Sequence, residues 1–130
     1  MSKRYQAYDV AGWSGDRDWA KDDIYALMVT DEYIPDFKRD ASPNDIPRAA
    51  LVTSSEPLTG KKIVGSAVDA DDLLFLKVTG PDVVAIVLVQ DRGALSRLIA
   101  YIDDGEFPIV PNGGDINLKW AKGARRIMTD

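Results

Sequence analysis

The sequence VVAIVLVQ at Val83–Gln90 decides the fold. Six of its eight residues are β-branched or leucine, and the first polar residue is Gln90 at its end. A half-buried strand alternates apolar and polar residues, so an unbroken apolar run of this length indicates a strand that is buried on both faces. We therefore predict that Val83–Gln90 is the central strand of a sheet.

Shorter β-prone pieces flank this strand and are separated by turn residues such as Gly, Pro, Asp and Asn. With the central run they give about eight short strands. The pattern predicts an all-β chain, an antiparallel β-sandwich or barrel-like fold, with a short N-terminal helix or arm over Lys3–Gly12. The other predicted strands are Asp22–Thr30, Ala49–Ser54, Lys62–Val68, Leu73–Val78, Arg97–Ile102, Asp115–Ala121 and, at the edge, Arg125–Met128.

The chain divides into an N-terminal segment or arm at residues 1–18 and a single β-sandwich domain at residues 19–130. Within the domain, residues 31–47 form a long polar loop with three prolines and seven charged residues. The apolar positions of the strands predict a core that contains Ile24, Leu27, Leu74, Leu76, Val84, Ile86, Leu88, Ile99, Ile116, Leu118 and Trp120.

The composition excludes several classes of function. The 130 residues include no Cys and no His, which excludes disulfides, thiol catalysis and imidazole bases. The 16 Lys and Arg against 21 Asp and Glu argue against a nucleic-acid-binding protein, which needs a concentrated basic surface. No apolar run reaches the length needed to span a membrane. We predict no catalytic residue, metal or cofactor.

Two groups of acidic residues are candidates for a metal site or a catalytic site. The turn at Asp69–Asp72 is either a solvated turn or a source of oxygen ligands for calcium. Asp103, Asp104 and Glu106 follow a strand and could pair with the first group as glycosidase-type carboxylates, but turns are commonly acidic and nothing in the sequence fixes the separation between the two groups. A solvated turn is the expectation for both groups.

Three aromatic residues stand in the polar N-terminal segment: Tyr5, Tyr8 and Trp13. Aromatic side chains in polar surroundings are typical anchors of protein interfaces. Two interpretations follow for this segment. It either folds back and caps one end of the sandwich, or it is an arm that docks its aromatic side chains into a neighbouring subunit.

The stretch from residue 117 to residue 129 is basic, although the chain as a whole carries a net charge of −5. It has no acidic residue and four basic ones, which are Lys119, Lys122, Arg125 and Arg126. The stretch is either a solvated edge of the last strands or a contact for an acidic protein surface, where charge complementarity sets register and association rate.

Three parts of the chain resemble small virion structural proteins of tailed bacteriophages. The first, residues 15–37, reads GDRDWAKDDIYALMVTDEYIPDF and is similar to the family's strand followed by a "PDF"-like loop. The second reads LTGKKIV at Leu58–Val64 and VDADDLLF at Val68–Phe75, and resembles "LTGKTV…FDADDVTF". The third reads SRLIAYIDD at Ser96–Asp104 and PIVPNGGDINLKW at Pro108–Trp120, and resembles "LIAYID…LPVTPNGGDI…W". The chain departs from the family at GARRIM, where the family has "GANKIF".

The resemblance implies a virion component without enzymatic activity, made in the bacterial cytoplasm and assembled into the virion. The first hypothesis is a capsid decoration (cement) protein on the outer shell surface. Its partner would be the major capsid protein, and it would form a homo-oligomer, a dimer or trimer, without nucleic acid or membrane. The alternative is a tail or fibre component that binds a host receptor or glycan, and the third hypothesis is a small cytoplasmic enzyme or regulator.

Overall fold

The computed structural model describes residues 3–65, 67–103, 107–120 and 128–129. In these ranges the chain is all-β, with antiparallel strands and one short helix, α1 (Gln6–Trp13), as the sequence predicts. The ten strands are β1 (Lys3–Arg4), β2 (Ile24–Val29), β3 (Leu51–Ser54), β4 (Lys62–Val64), β5 (Ala67–Asp69), β6 (Leu73–Phe75), β7 (Ala85–Gln90), β8 (Arg97–Ile102), β9 (Ile116–Leu118) and β10 (Met128–Thr129). The α-helix found in these ranges is too short to cross a membrane.

The largest sheet has five strands in the order β1-β8-β7-β2-β3. Strand β7 lies at its centre, between β2 and β8, and all six of its residues are buried. In the register of these three strands, Ile86 pairs with Met28 on one side and Ile102 on the other. The prediction of a central strand buried on both faces is confirmed, although the strand begins at Ala85 and Val83 only forms a bridge to Ile109.

One face of this sheet packs against the two-stranded sheet that β6 and β9 form. Ile86 and Leu88 of β7 belong to the same apolar cluster as Phe75 of β6 and Leu118 of β9. Trp120, which follows β9, joins this cluster and is 7% exposed. Two antiparallel sheets thus enclose one half of the core, which is the sandwich arrangement.

The opposite face of the large sheet is covered by the loop that leads from β2 to β3. Tyr33, Ile46 and Ala50 of this loop are buried against Val87 and Val89 of β7. Two 3-10 turns, Pro43–Asp45 and Arg48–Ala50, shape its second half. The loop is polar in composition, as the sequence indicates, but its few apolar side chains form a second half of the core.

The predicted core is wrong at two positions. Leu74 and Leu76 are 53% and 66% exposed. Side chains alternate along a strand, and β6 turns Leu73 and Phe75 towards the large sheet, so Leu74 and Leu76 lie on the outer face. Val84 is only partly buried, and it packs against the second cluster.

The predicted strand Lys62–Val68 is a hairpin of two strands, β4 and β5. Gly65 in the turn has a φ of +63°, a left-handed conformation that glycine adopts without strain. Strand β10 pairs with β5 in the same small sheet, in the order β10-β5-β4. Most of the predicted edge strand Arg125–Met128 lies outside the described residues.

Candidate protein interface

The N-terminal segment is tied to the sheet through its backbone. Strand β1 pairs with β8, and the N–H of Tyr5 donates to the carbonyl of Ile99 at 2.9 Å. The N–H of Gln6 donates to the carbonyl of Phe37 at 2.8 Å, which fixes the chain where α1 begins. Residues 3–18 therefore pack against the sheet of their own chain.

For Tyr5 and Tyr8 the interface prediction is corrected. Tyr5 is fully buried and Tyr8 is 3% exposed, so neither side chain has surface to offer to a partner. Tyr8 and Ala11, three residues apart on α1, face inward because residues at this spacing share one face of a helix. Both tyrosines belong to the core of their own domain.

Trp13, the last residue of α1, is 92% exposed. The chain has eleven aromatic residues, all in the described ranges, and Trp13 is the one that is exposed. The turn after it is held by the N–H of Asp16, which donates to the carbonyl of Ala11 at 2.8 Å, and by the Ser14 hydroxyl, which donates to the same carbonyl. These hydrogen bonds hold the backbone that carries the indole in place.

A groove of about 420 Å³ runs beside the indole and is lined by Arg4, Asp9, Gly12, Trp13 and Arg17. The Asp9 carboxylate pairs with Arg4 at 3.0 Å and with Arg17 at 3.6 Å. The Arg17 guanidinium also lies 4.9 Å from the centre of the Tyr8 ring, in cation–π contact. Two guanidinium groups and one carboxylate therefore lie together beside the indole.

Gly12 makes this arrangement possible. A Cβ atom at this position would lie 2.6 Å from Nε of Arg17. The sequence pattern assigns Gly12 to the end of the helix, but α1 continues to Trp13. An alanine at this position would displace the end of the Arg17 side chain, which packs directly on the helix backbone.

A second set of side chains holds the loop after α1 against the ends of β7 and β8. The Asp16 carboxylate pairs with Arg92 and with Arg97, each at 2.6 Å. Hydrogen bonds from Arg97 and then from Arg92 keep the pKa of Asp16 below its usual value. Gln90, fully buried, donates to the carbonyl of Asp16 at 3.0 Å and to the Asp22 carboxylate at 2.7 Å. These contacts fix the loop on which the Trp13 groove rests.

Partial burial alone would raise the pKa of Asp22, but hydrogen bonds from the N–H of Asp18, from Gln90 and from Arg92 outweigh it. The pKa of Asp22 is therefore lowered as well. Both carboxylates of this cluster are ionised at neutral pH and occupied by donors of their own chain.

Of the predicted basic residues, Lys119 lies just after β9 and is exposed. It does not line the Trp13 groove. Lys122, Arg125 and Arg126 lie outside the described residues. The structure therefore places Trp13 with Arg4 and Arg17, which the sequence analysis did not single out.

The turn at Asp69–Asp72 serves as an acceptor of tryptophan hydrogen bonds. The indole N–H of Trp19 donates to the carbonyl of Asp69 at 3.0 Å, and that of Trp120 donates to the carbonyl of Asp71 at 2.9 Å. The Thr59 hydroxyl donates to the Asp71 carboxylate at 3.1 Å. Across the part of the chain that the structure describes, no three acidic side chains converge as a metal site. Asp104 and Glu106 lie outside that part.

A buried chain of polar side chains, which no sequence pattern predicts, lies beneath the second half of the core. The hydroxyl oxygens of Tyr5 and Tyr33 are 2.7 Å apart, and the Tyr33 hydroxyl donates to the Asp40 carboxylate at 2.8 Å. Asp40 is 1% exposed. Burial raises the pKa of Tyr5 and of Tyr33 well above the ordinary tyrosine value.

We expect this chain of tyrosines to make the fold sensitive to alkali. The pKa of a tyrosine in the unfolded chain is about 10. Below that pH, the folded and the unfolded chain both keep the phenol protons, so the free energy of unfolding does not change. Above it, the unfolded state releases them while the folded state retains them, so the free energy of unfolding falls by up to about 1.4 kcal/mol per pH unit for each tyrosine. Urea unfolding at several pH values between 9 and 11 measures this slope.

The Tyr5→Phe/Tyr33→Phe variant is the control, because lysines titrate in the same range and contribute to both proteins. Its slope should be smaller than that of the unmodified chain. Equal slopes in the two proteins would show that these phenols are not protected from ionisation.

Comparison of the chain with models of protein families, with curated proteins and with solved structures gives no match. The functional argument therefore rests on the geometry, which places an exposed indole beside a groove lined by two arginine side chains and one aspartate, in a chain of net charge −5.

Proposed function

We propose that this chain is a non-enzymatic bacteriophage virion structural protein, a capsid decoration protein that binds the outer surface of the assembled shell and stabilises it. The resemblance of three stretches to small virion proteins of tailed phages supports the proposal, as does the all-β fold with a short N-terminal helix. The proposed partner is the major capsid protein, and the proposed contacts are the Trp13 groove and the basic stretch that begins at Lys119.

The exposed indole of Trp13 is the observation that carries the proposal. Ten of the eleven aromatic side chains are packed at least partly into the domain, and this one is 92% exposed. Removing a large apolar side chain from water contributes about 1.5–3 kcal/mol, and tryptophans at interface centres often contribute more than their share of the affinity. The backbone that carries this side chain is already ordered by the helix and its turn, so binding orders the side chain alone.

The charges around Trp13 define the complementary surface. Arg4 and Arg17 both pair with the carboxylate of Asp9 and line the groove beside Trp13. The fitting partner is an apolar hollow with acidic residues at its rim. Such charge complementarity raises the association rate and fixes the orientation of the bound domain.

Stabilisation of the shell follows from mass action. A protein that binds the assembled shell and not its free subunits raises the stability of the shell by an amount that grows with occupancy. Contacts repeated by the symmetry of the shell add avidity without any single strong site. A modest contact around one tryptophan is therefore sufficient for this role.

The alternative is a tail or fibre component with a role in host-receptor or glycan binding. Such a module would present exposed aromatic side chains in its late loops, and Phe107 is the aromatic residue there. Phe107 is partly buried and packs against the core. The number of copies per virion distinguishes the two roles, because a decoration protein is present in far more copies than a tail part.

We expect Trp13→Ala to weaken binding to the shell by at least about ten-fold, as truncation of an interface anchor does. The assay mixes the purified chain with particles that lack it, sediments the particles and counts bound copies against concentration. Ile63→Ala is the matched control, because Ile63 is also exposed, at 59%, but lies on β4. Both variants should melt at nearly the same temperature as the unmodified chain.

Two results would contradict the proposal. If Trp13→Ala binds as tightly as Ile63→Ala, the Trp13 groove is not the contact. If the unmodified chain is found on tails and never on heads, the decoration role is wrong and the alternative replaces it.

A further inference from the structure

The loop before strand β9 carries a chemically reactive dipeptide, Asn112–Gly113. An asparagine that precedes glycine loses its side-chain amide readily, because glycine has no Cβ atom to hinder attack by its own backbone nitrogen. The two other asparagines of the chain, Asn44 and Asn117, precede an aspartate and a leucine. Asn112 is also exposed to water, which the reaction consumes, so it is the asparagine most suited to this chemistry.

The reaction is an attack of the backbone on the side chain. The backbone nitrogen of Gly113 loses its proton to hydroxide and forms a bond to Cγ of Asn112, which closes a five-membered succinimide ring. The bond from Cγ to the side-chain nitrogen then breaks, and that nitrogen takes a proton from water and leaves as ammonia. A water molecule opens the ring at one of its two carbonyl groups and leaves either aspartate or isoaspartate at position 112.

In the folded chain the attacking nitrogen is held by a neighbouring segment. The N–H of Gly113 donates to the carbonyl of Val78 at 2.8 Å, and the N–H of Val78 donates to the carbonyl of Gly114 at 3.0 Å. Val78 is 2% exposed, so this pair of hydrogen bonds ties the loop to the core. The proton that must leave before the attack is therefore bound to an acceptor of the fold.

The side chain of Asn112 is held as well. Its Oδ1 accepts the N–H of Gly114 at 3.0 Å, which closes an Asx turn. This hydrogen bond polarises the side-chain carbonyl and by itself favours the attack. Ring closure nevertheless requires the Gly113 nitrogen to lose its proton and to turn away from the carbonyl of Val78, so the backbone hydrogen bonds decide the outcome.

We propose that Asn112 is a deamidation site that the fold protects, and that it reacts when the loop of residues 111–114 separates from Val78. A backbone amide in such a hydrogen bond reacts through local opening, at a rate that follows the fraction of time the segment is open. Asn112 therefore records local opening of the domain as a permanent chemical change. The inference is independent of the Trp13 groove, and failure of shell binding would leave it standing.

The products would weaken the closure of this loop. Aspartate adds a negative charge three positions before Asp115. Isoaspartate also directs the main chain through the former side chain, which adds a methylene group before Gly113 and displaces its N–H from the carbonyl of Val78. A chain that has opened and reacted should therefore refold with a lower free energy of unfolding than the unreacted chain.

Mass spectrometry of peptides from the whole chain measures the reaction. The chain is incubated at mildly alkaline pH, either folded in buffer or unfolded in guanidinium chloride, and the deamidated fraction of Asn112 is followed with time. We expect the folded chain to react at least about ten-fold more slowly than the unfolded chain. Asn117 is the internal control and should react slowly in both, because the leucine after it hinders the attack.

A variant tests whether this loop, rather than the fold as a whole, controls the reaction. The Asp115 carboxylate accepts the N–H of Lys77 at 2.9 Å, beside the backbone hydrogen bonds to Val78. Asp115→Ala should speed the reaction of the folded chain several-fold and leave the rate in guanidinium chloride nearly unchanged, because it loosens the loop alone. Asp31→Ala removes an exposed carboxylate from the loop after β2 and should change neither rate.

Each of these measurements is able to overturn the proposal. Equal rates in the folded and the unfolded chain would show that the hydrogen bond to Val78 does not protect Asn112. No reaction at Asn112 in guanidinium chloride would show that it is not a deamidation site. A folded Asp115→Ala chain that reacts no faster than Asp31→Ala would exclude opening of this loop as the controlling step.

Discussion

Replacement of Ile86 by aspartate is expected to leave the chain unfolded. Ile86 is fully buried in the central strand β7, between Met28 and Ile102 in the register of the large sheet. The variant removes an aliphatic side chain from a packed core, which costs about 2–5 kcal/mol, and puts an unpaired carboxyl group in its place, which costs several more. A domain of this size has about 5–15 kcal/mol of stability in total.

Circular dichroism and urea unfolding measure the result. Ile86→Val, which keeps the shape of the side chain, should cost only about 0.5–1.5 kcal/mol. Ile63→Asp introduces the same charge at an exposed position and should leave the fold intact. A soluble Ile86→Asp protein with a native spectrum and a cooperative unfolding transition would show that β7 is not the centre of the core.

The second large effect is expected at Asp40, where alanine should reduce the free energy of unfolding by about 2–4 kcal/mol. One oxygen of this buried carboxylate accepts the Tyr33 hydroxyl at 2.8 Å and the N–H of Asp36 at 3.0 Å. The other accepts Nε of Arg39 at 3.3 Å. Removal of the carboxylate leaves the buried Tyr33 hydroxyl without its acceptor where water has little access, which is more costly than loss of an exposed hydrogen bond.

Asp36→Ala is the matched control for this variant. Asp36 belongs to the same turn and its carboxylate accepts the N–H groups of Lys38 and Arg39, but it is exposed. Its loss should cost less than about 1 kcal/mol, because water replaces the acceptor. Urea unfolding of both variants gives the comparison, and equal losses would mean that Asp40 does not organise the loop.

The three central strands of the large sheet, β2, β7 and β8, were predictable because they satisfy one simple condition. Strand β1 was not predicted, because Lys3 and Arg4 were assigned to the helix, which begins at Gln6. Strand β7 is buried on both faces, so every residue between its ends is apolar and no choice of face is required. The strands on either side of it, β2 and β8, are nearly as apolar; β8 was predicted with the bounds that it has, and β2 with small errors at its ends. Burial on both sides therefore leaves a signal in the sequence that does not depend on the partners of the strand.

The outer elements were less predictable because they are not buried on both faces and so lack this signal. The run from Leu73 to Leu76 is apolar throughout, so alternation does not reveal which face is inward, and two exposed leucines were assigned to the core. Tyr33 and Asp40 present the opposite difficulty. Their loop has the composition of a solvated segment, and only its docking against β7 and β8 buries them.

The candidate interface was found in part. Tyr8 and Trp13 were grouped because both are aromatic residues in a polar segment, yet one is core and the other is exposed. Helical spacing distinguishes the two residues. Tyr8 and Trp13 are five residues apart and lie on different faces of the helix, whereas Tyr8 and Ala11 share the inward face. Arg4 and Arg17 had no such signal, since only the folded chain brings them to the same carboxylate.

The pairing of β1 with β8 has a consequence for aggregation. Without β1, the six-residue strand β8 would be the outer strand of the large sheet, with a row of unpaired backbone groups beside largely apolar side chains. Such an edge is a template for pairing with other chains. In the described part of the chain, strand β1 covers part of it with its two residues, Lys3 and Arg4, and both are basic. A short, charged outer strand is a poor template, so these two residues act as gatekeepers that keep crowded copies of the chain from joining edge to edge.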